Sequence, residues 1–191
     1  MSENANVVAL PTGKRFPEAR AGGISLGAAV DAGRFKLGMR RLAAGVSIIA
    51  TTLEEVRYGL VATAVNSVSA DPPTLLVCVS QTASAHDFIS RAGRFSVNVL
   101  HADDRELAEN FSRPEFRTRR FSFGEWSTAT TGAPVLDSAL VAFDCLIAQE
   151  ARVASHTVFF GQVVDVRLSD GLIDPLLFWN SSYHTAEAGP R

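Results

Sequence analysis

Small and hydroxylated side chains form the densest polar run of this sequence. They occupy Ala62-Thr63-Ala64-Val65-Asn66-Ser67-Val68-Ser69, which leaves a predicted strand and ends before the turn Asp71-Pro72-Pro73. Short side chains let a ligand approach the backbone closely, and hydroxyl and backbone N–H groups can donate hydrogen bonds to phosphate oxygens or ring carbonyls. A turn that satisfies its own Ser and Asn side chains explains the same composition. The run by itself therefore leaves a ligand site and a simple turn open.

A second hydroxyl cluster lies where a predicted buried strand gives way to a helix, at Ser80-Gln81-Thr82-Ala83-Ser84. A strand end that feeds a helix N-terminus can bind an anion, although Ser84 also fits a plain helix cap. His156 opens a later strand, where a histidine either packs structurally or contacts a ligand. A solvated loop and contacts to a phosphate or an adenine are equally compatible with the basic run of Arg113, Arg117, Arg119 and Arg120.

Several chemistries lack their usual signatures in this sequence. The fourteen glycines show neither GxGxxG nor GxxxxGK[ST] spacing, so a glycine-rich phosphate cradle is not predicted. No Ser/His/Asp order and no Glu-containing metal motif stands out, so we predict neither hydrolysis nor a metal site. If the protein binds a nucleotide or a flavin, other groups must hold it.

The composition is typical of one globular domain with a core. The chain has 191 residues, of which 47% are hydrophobic, and no apolar run approaches the roughly 20 residues of a membrane helix. Its 18 basic and 20 acidic residues give a net charge of −2, which favours neither nucleic acid nor a membrane as a partner. Cys78 and Cys145 lie far apart within apolar runs, and no secretory signal is evident. We therefore expect reduced core cysteines in a cytoplasmic protein.

Hydrophobic periodicity predicts a mainly β domain with three short helices. Alternating or β-branched runs indicate strands at 46–52, 58–63, 74–80, 95–100, 139–152, 156–168 and 175–179. Helical spacing, with Asp31 and Ser84 as caps, predicts helices at 31–44, 84–92 and 103–111. Six or seven strands that are mostly joined by hairpins favour an antiparallel barrel over a doubly wound sheet.

The chain is predicted to have an N-terminal arm at 1–30, one domain at 31–184 and a tail at 185–191. The nearly continuous apolar strand at 74–80 is typical of burial on both faces. Residues 112–134 form a long irregular stretch, which in a compact domain is often functional. We expect this stretch to expose the aromatic side chains Phe121, Phe123 and Trp126.

Three segments of the chain carry a collinear pattern, and shorter matches at 39–46, 110–111 and 131–134 extend it from about Phe35 to His184. The segments are Tyr58-Gly59-Leu60-Val61-Ala62-Thr63-Ala64-Val65-Asn66-Ser67-Val68-Ser69-Ala70-Asp71-Pro72-Pro73, Phe95-Ser96-Val97-Asn98-Val99-Leu100 and Ser155-His156-Thr157-Val158-Phe159-Phe160-Gly161. Together they resemble the flavin reductase family with the FMN-binding split-barrel fold. The resemblance implies a six- to seven-stranded antiparallel split β-barrel.

The resemblance also implies a set of site residues. The family's segment along the flavin ring and ribityl chain corresponds to Val61, Ala62, Thr63, Ala64, Val65, Ser67 and Val68. Its phosphate-side loop corresponds to Ser80, Gln81, Thr82 and Ser84. The pairs near the flavin and near the nicotinamide nucleotide correspond to Asn110 with Phe111 and to Tyr183 with His184. The family's histidine beside the nicotinamide corresponds to His156, which here follows Ala154-Ser155 in place of Gly-Asp.

By the same resemblance, we expect an NAD(P)H:flavin oxidoreductase. It would reduce FMN or FAD with NADH or NADPH by hydride transfer, with His156 positioning the nicotinamide. It would supply the reduced flavin to a partner flavin-dependent monooxygenase. The family likeness also implies a homodimer with the flavin near the interface. A flavin carrier or sensor without turnover, and an oxidase of pyridoxamine phosphate on the same barrel, are the alternatives.

Overall fold

Seven antiparallel strands make up the main sheet of the protein. The computed structural model describes residues 29–186, in which a three-stranded sheet and a two-stranded sheet accompany the main one. The strands are β1 (Ala44–Gly45), β2 (Ser47–Leu53), β3 (Val56–Ala62), β4 (Val65–Ala70), β5 (Pro73–Ser80), β6 (Arg94–Val99), β7 (Trp126–Thr128), β8 (Pro134–Leu136), β9 (Val141–Val153), β10 (His156–Leu168), β11 (Leu176–Trp179) and β12 (Ser182–Thr185). The α-helices are α1 (Ala32–Met39), α2 (His86–Ala92) and α3 (Arg105–Ser112). Short 3₁₀ helices lie at Ala102–Asp104, Pro114–Phe116 and Arg120–Ser122.

The main sheet curls so that its two edge strands are consecutive in the chain. Its hydrogen-bonded order is β3-β2-β6-β9-β10-β5-β4, while residues 63–64 alone connect β3 to β4. Two register irregularities bend the long β9–β10 hairpin, as barrel curvature requires. Where the chain crosses between these edges, the backbone N–H of Cys78 in β5 donates to the carbonyl oxygen of Ala64 at 3.0 Å. This topology confirms the predicted antiparallel split barrel.

Strand β2 organises the core because both of its faces are buried. On one face, Ile49 packs in a cluster inside the barrel with Phe95 and Phe159. On the other face, Ile48 packs in a second cluster, to which Phe111 of α3 contributes its ring. All five of these side chains are buried, and burial of apolar surface is the main favourable term in folding.

Strand β5 is buried on one face only, so the prediction that both faces are buried is wrong. Leu75, Val77 and Val79 point into the barrel and are at most 5% exposed. Cys78 and Ser80, on the opposite face, are half-buried. Both of these residues line a cavity and do not pack against a second layer. The apolar run therefore does not indicate burial of both faces of this strand.

Aromatic packing orders much of segment 112–134. Phe121, Phe123 and Trp126 are half-buried against the second cluster, and the ring centroids of Phe121 and Trp126 are 4.8 Å apart. The indole N–H of Trp126 donates to the carbonyl oxygen of Phe123 at 2.8 Å. The expectation that these rings are exposed is therefore wrong, because the exposed side of the second cluster provides an apolar surface that they cover.

The first helix begins as predicted and ends earlier. The Asp31 side chain accepts a hydrogen bond from the backbone N–H of Arg34 at 3.0 Å and caps α1. The predicted helix 31–44 stops at Met39 because residues 44–45 form β1, which pairs with β11. Within residues 29–186, no helix is long and apolar enough to cross a membrane.

The chain beyond β11 forms a strand that the periodicity did not predict. Asn180 and Ser181 have positive φ values of 48° and 65°, which suit the tight two-residue turn of a β-hairpin. This turn brings β12 back along β11. Of the predicted arm 1–30 and tail 185–191, only residues 29–30 and 185–186 lie within the described chain, so both parts stay predictions.

The crowding at Gly161 leads to a stability prediction. A Cβ atom at this position of β10 would lie 2.5 Å from Phe95 Cζ and 2.9 Å from Cys145 Cβ. We expect Gly161→Ala to lower the free energy of unfolding by about 1–3 kcal/mol, because the core must shift to admit a methyl group. Gly45→Ala is the matched control, since a Cβ at that strand glycine meets nothing within 4 Å. Urea unfolding with equal losses in both variants would contradict the prediction.

Candidate functional site

A cavity of about 560 Å³ opens at the junction of the two sheet edges. Its volume falls within the range of small-molecule and cofactor pockets. It is bounded by the end of β3, the end of β5 and the segment after α3. The lining residues are Leu60, Val61, Ala62, Thr63, Ala64, Cys78, Val79, Ser80, Thr82, Ala83, Ser84, Phe111, Ser112, Pro114, Arg117, Arg120 and His156.

Small residues at the junction of β3 and β4 form one wall of the cavity. Val61 is half-buried, Ala62 is buried, and Thr63 and Ala64 are exposed. None of these side chains is longer than a valine, so a flat ligand can lie close to the backbone here. The burial of Cys78 beside this wall raises the pKa of its thiol. Cys78 therefore stays protonated at neutral pH and contributes a surface rather than a nucleophile.

The hydroxyl loop after β5 forms a second wall. The hydroxyls of Ser80 and Thr82 are 3.0 Å apart, and the backbone N–H of Thr82 also donates to Ser80 Oγ. Ser84 does not cap a helix, because α2 begins at His86 and its cap residue makes no side-chain hydrogen bond. Instead Ser84 Oγ accepts a hydrogen bond from Arg120 Nη1 at 3.3 Å. The predicted capping role of Ser84 is therefore wrong, and its hydroxyl faces the cavity.

Arg120 brings a buried positive charge to the same wall. It is only 8% exposed, and its Nη1 also donates to the carbonyl oxygen of Gly59 in β3 at 2.9 Å. Burial, followed by the nearby charge of Arg117, lowers the pKa of this guanidinium. The guanidinium nevertheless stays charged at neutral pH, because the ordinary pKa of arginine lies far above neutrality. Arg117, which also lines the cavity, is exposed.

His156 lies on the cavity lining at the start of β10. Its side chain is exposed, and its Nδ1 is 2.9 Å from Ser155 Oγ. Strand pairing places His156 opposite Ser80, so the histidine faces the hydroxyl loop across the ladder. Gln81 does not line the cavity, because its amide donates to the carbonyl oxygens of Ala154 and His156. Gln81 therefore ties the β9–β10 turn to the end of β5.

The remaining predicted site residues divide into those near the cavity and those away from it. Phe111 lines the cavity, and its neighbour Asn110 is buried in α3 without lining it. Val65 lines a different cavity, described below, while Ser67 and Val68 are exposed on the edge strand β4. The structure therefore gathers only part of the segment predicted to follow the flavin.

Tyr183 and His184 are not brought to the cavity either. They lie on β12 in the small sheet, where the Tyr183 ring packs edge-on against Phe178 with centroids 5.3 Å apart. His184 Nε2 is 3.2 Å from the carbonyl oxygen of Trp179. Within one chain these two side chains stabilise the β11–β12 hairpin.

A second cavity, of about 790 Å³, shares Thr63 and Ala64 with the first. It lies between α1, the start of β4 and the turn that joins β11 to β12. Its other lining residues are Lys36, Met39, Arg40, Leu42, Ala43, Ala44, Gly45, Val65, Asn66, Phe178, Trp179, Asn180 and Ser181. The exposed corner at residues 63–64 thus separates two recesses.

Arg117 and Arg120 belong to a basic run whose residue types fit a solvated loop as well as a ligand site. Nothing in the residue types distinguishes Arg120 from Arg119. Arg119 is exposed, and its Cζ lies 4.5 Å from the centroid of the Phe116 ring. The signal that distinguishes Arg120 is the 3₁₀ helix that turns it inward beside Phe121, and this turn depends on tertiary packing.

His86 carries no signal in the sequence that marks it as buried. This histidine is buried, with Nε2 at 2.8 Å from Thr157 Oγ1 and Nδ1 at 2.7 Å from Asp87 Oδ1. Since it does not line the cavity, it joins α2 to β10 rather than contacting a ligand. The described residues contain no cluster of His, Cys, Asp or Glu that could hold a metal ion.

The cavity combines a wall of small residues, a hydroxyl loop, cationic groups and an exposed histidine. No Asp or Glu of the described chain lines it, so its ionisable lining groups are Arg117, Arg120, His156 and the thiol of Cys78. These groups suit the binding of a ligand with a flat ring and an anionic end. They offer no carboxylate that could serve as a general base.

Comparison with known proteins gives a consistent result. The chain is 42% identical over 146 residues to FMN reductase (NADH) RutF of Stutzerimonas stutzeri. The aligned segment covers 76% of this chain and 83% of that protein. The solved structure of flavin reductase PheA2 is 30% identical and has a TM-score of 0.74, covering 83% of this chain and 99% of that one. BorF, the flavin reductase component of a bacterial two-component tryptophan halogenase, is 27% identical with a TM-score of 0.74. This match covers 81% of the present chain and 98% of BorF.

Residues 39–187 match the family described as flavin reductase like domain. The match includes every strand from β1 to β12 and all the residues that line the first cavity. The chain therefore belongs to the flavin reductase-like domain family.

Proposed function

We propose that this protein is an NADH-dependent flavin reductase with FMN as its flavin. The observation that carries the proposal is the first cavity, with its wall of small residues beside a hydroxyl loop and a buried guanidinium. Relatives such as the Stutzerimonas stutzeri protein are named FMN reductase (NADH), which supports this pair over FAD and NADPH.

The residues present fit a flavin. Arg120 lines the cavity, and its Nη2 makes no hydrogen bond to a described residue, so this wall retains a donor suited to an anionic ligand. Thr63 and Ala64 leave backbone exposed to a planar ring, and Phe111 supplies an apolar surface. Hydroxyls on Ser80 and Thr82 can donate to phosphate oxygens, in place of the glycine cradle that the sequence lacks.

The chain's own part in the reaction is to bind and orient. A bound flavin supplies the ring that accepts a hydride. The cavity walls hold that ring in place, which converts an encounter of two molecules into an oriented one. His156, at the edge of the cavity, has a ring Nε2 without a hydrogen bond to the described residues and can bond the carboxamide of a nicotinamide. We assign it a positioning role.

We further propose that the reduced flavin passes to a separate flavin-dependent monooxygenase. BorF, a relative in structure, is the flavin reductase component of a two-component halogenase, so its partner is a separate protein. The first cavity of this chain is open to solvent at Thr63, Ala64 and His156, which supports release of a reduced product.

We propose that the working form is a homodimer built on α1. No residue of this helix is buried, although Phe35, Leu37 and Met39 are apolar and 46–60% exposed. An isolated helix of this length gains little stability in water unless its apolar side chains pack against something. The second cavity lies against α1 and shares Thr63 and Ala64 with the first, so a chain seated there would border the flavin.

The enzymatic proposal predicts catalytic turnover with free flavin. Purified protein mixed with NADH and excess FMN should oxidise many equivalents of NADH per chain, measured by the loss of absorbance of NADH under anaerobic and aerobic conditions. NADPH and FAD, tested in the other three pairings, should give lower kcat/KM. Binding of FMN without NADH oxidation would instead support a flavin carrier or sensor, and oxidation of pyridoxamine phosphate would support an oxidase.

The role of His156 predicts a selective change in the kinetics. His156→Ala should raise KM for NADH roughly fivefold to tenfold, the loss expected when one hydrogen bond is removed, and should change KM for FMN less. Ser155→Ala, which removes only the partner of Nδ1, should have a smaller effect. A larger rise in KM for FMN than for NADH would contradict the assignment.

The dimer proposal predicts that a charge on α1 separates the chains. Light scattering should give the mass of two chains for the unchanged protein and of one chain for Leu37→Glu. The matched control is Leu172→Glu, which places the same charge at a leucine that is 78% exposed and outside the second cavity. A single-chain mass for the unchanged protein, or the same mass in both variants, would rule out this interface.

A further inference from the structure

The turn between β9 and β10 has a backbone conformation that its first residue does not favour. The turn consists of Ala154 and Ser155 alone, because β9 ends at Val153 and β10 begins at His156. Ala154 has a φ of 50°, a left-handed conformation that glycine adopts freely and that the Cβ of an alanine disfavours. Ala154, Ser155 and His156 are all exposed, so burial does not hold the turn in this shape. Hydrogen bonds from elsewhere in the fold must therefore stabilise it.

Gln81, the first residue after β5, supplies those hydrogen bonds. Its backbone N–H donates to the carbonyl oxygen of Ser155 at 2.9 Å. Its side-chain amide donates to the carbonyl oxygens of Ala154 at 3.3 Å and of His156 at 3.1 Å. In the described chain, no other residue outside the β9–β10 hairpin makes a hydrogen bond to Ala154 or Ser155. One residue thus binds three consecutive carbonyl groups of the chain.

The strand beyond the turn is held independently of Gln81. Thr157 is fully buried, and its hydroxyl oxygen is 2.8 Å from Nε2 of the buried His86. Strand β10 also lies between β9 and β5 in the main sheet. His156 therefore lies at the boundary between a fixed strand and an exposed turn. The direction of its side chain depends on that turn, since its Nδ1 is 2.9 Å from Ser155 Oγ.

The direction of His156 matters because its ring borders the first cavity. Its Nε2 makes no hydrogen bond to a described residue and is free to bond a ligand there. A hydrogen bond weakens steeply when its donor and acceptor are misaligned, so a shift of the turn would weaken this contact. Gln81 does not line the cavity. Any effect of Gln81 on a ligand of His156 must therefore pass through the turn.

We propose that Gln81 is a positioning residue, whose hydrogen bonds keep the β9–β10 turn in the shape that directs His156 towards the nicotinamide of NADH. This inference rests on the proposed flavin reductase function. Without the Gln81 amide, the turn relaxes towards conformations that suit Ala154 better, and His156 loses its alignment with the carboxamide. Binding of the flavin depends on other walls of the cavity and changes little.

The first test separates the two substrates. Gln81→Ala should raise KM for NADH about threefold to fivefold, an effect on the scale of one hydrogen bond. The dissociation constant of FMN, measured by fluorescence quenching without NADH, should stay within about twofold of its original value, which also shows that the variant is folded. Gln81→Glu keeps the length of the side chain and places a carboxylate against two carbonyl oxygens, so it should raise KM for NADH at least as much. Gln162→Ala is the matched control, since this glutamine is exposed, lies further along β10 and does not line the cavity. It should leave both constants unchanged.

Two double variants distinguish positioning from a general loss of stability. Ala154→Gly added to Gln81→Ala should return KM for NADH to within about twofold of its original value, because glycine adopts the positive φ of this turn without support. In a His156→Ala background, Gln81→Ala should raise KM for NADH by less than about twofold, because the residue through which it acts is missing. A full, additive effect in the His156→Ala background, or no rescue by Ala154→Gly, would overturn the proposal.

Amide hydrogen exchange tests the turn in the absence of flavin and NADH. Peptides that cover residues 151–158 should exchange about threefold to fivefold faster in Gln81→Ala than in the unchanged protein, and at the original rate in Gln162→Ala. An unchanged exchange rate in Gln81→Ala, or a rise in KM for FMN equal to that for NADH, would overturn the role of Gln81 and leave the proposed function intact. Failure of the unchanged protein to oxidise NADH with FMN would overturn the proposed function and this inference together.

Discussion

The fold depends on the two edge strands of one curled sheet, β3 and β4, which are not hydrogen-bonded to each other. Strands β3 and β4 follow each other in the chain and lie at opposite ends of the hydrogen-bonded order, so residues 63–64 must cross between two sheet edges. A hydrogen bond from the N–H of Cys78 to the carbonyl oxygen of Ala64 holds that crossing against β5. A ligand can approach the backbone at residues 63–64, because this segment belongs to no strand and is not buried in the core. The cavity is thus a consequence of the barrel topology rather than an addition to it.

The chemistry of the cavity depends on the packing of segment 112–134. Gly59 has no side chain, and a Cβ there would lie 3.0 Å from Phe121 Cζ and 3.2 Å from Phe111 Cε1. Both rings can therefore lie against β3 and cover the second cluster. The same close approach brings Arg120, next to Phe121, within 2.9 Å of the Gly59 carbonyl oxygen. Burial of aromatic surface thus compensates for placing a cation beside the cavity.

Local pattern located β2, β3, β5, β6, β9, β10 and β11, and it missed the edge strand β4, the last strand β12 and much of the site. Alternation and β-branching located the hairpins because each strand of an antiparallel sheet keeps one face on the core. The apolar run at β5 wrongly predicted burial of both faces of the strand. Cys78 and Ser80, on its second face, border a cavity instead of a packed layer. The burial of Arg120 and the true partner of Ser84 could not be predicted, because both depend on contacts between residues far apart in the sequence.

The placement of Tyr183 and His184 links the site to assembly. The resemblance puts them near the nicotinamide nucleotide, yet within one chain they lie on β12, away from the first cavity. The β11–β12 turn that precedes them lines the second cavity, as does the apolar helix α1. Since Thr63 and Ala64 line both cavities, a second chain packed on α1 would contact a wall of the first cavity directly. The proposed pairing of chains would then cover the exposed apolar side chains of α1 and enclose the first cavity at the same place.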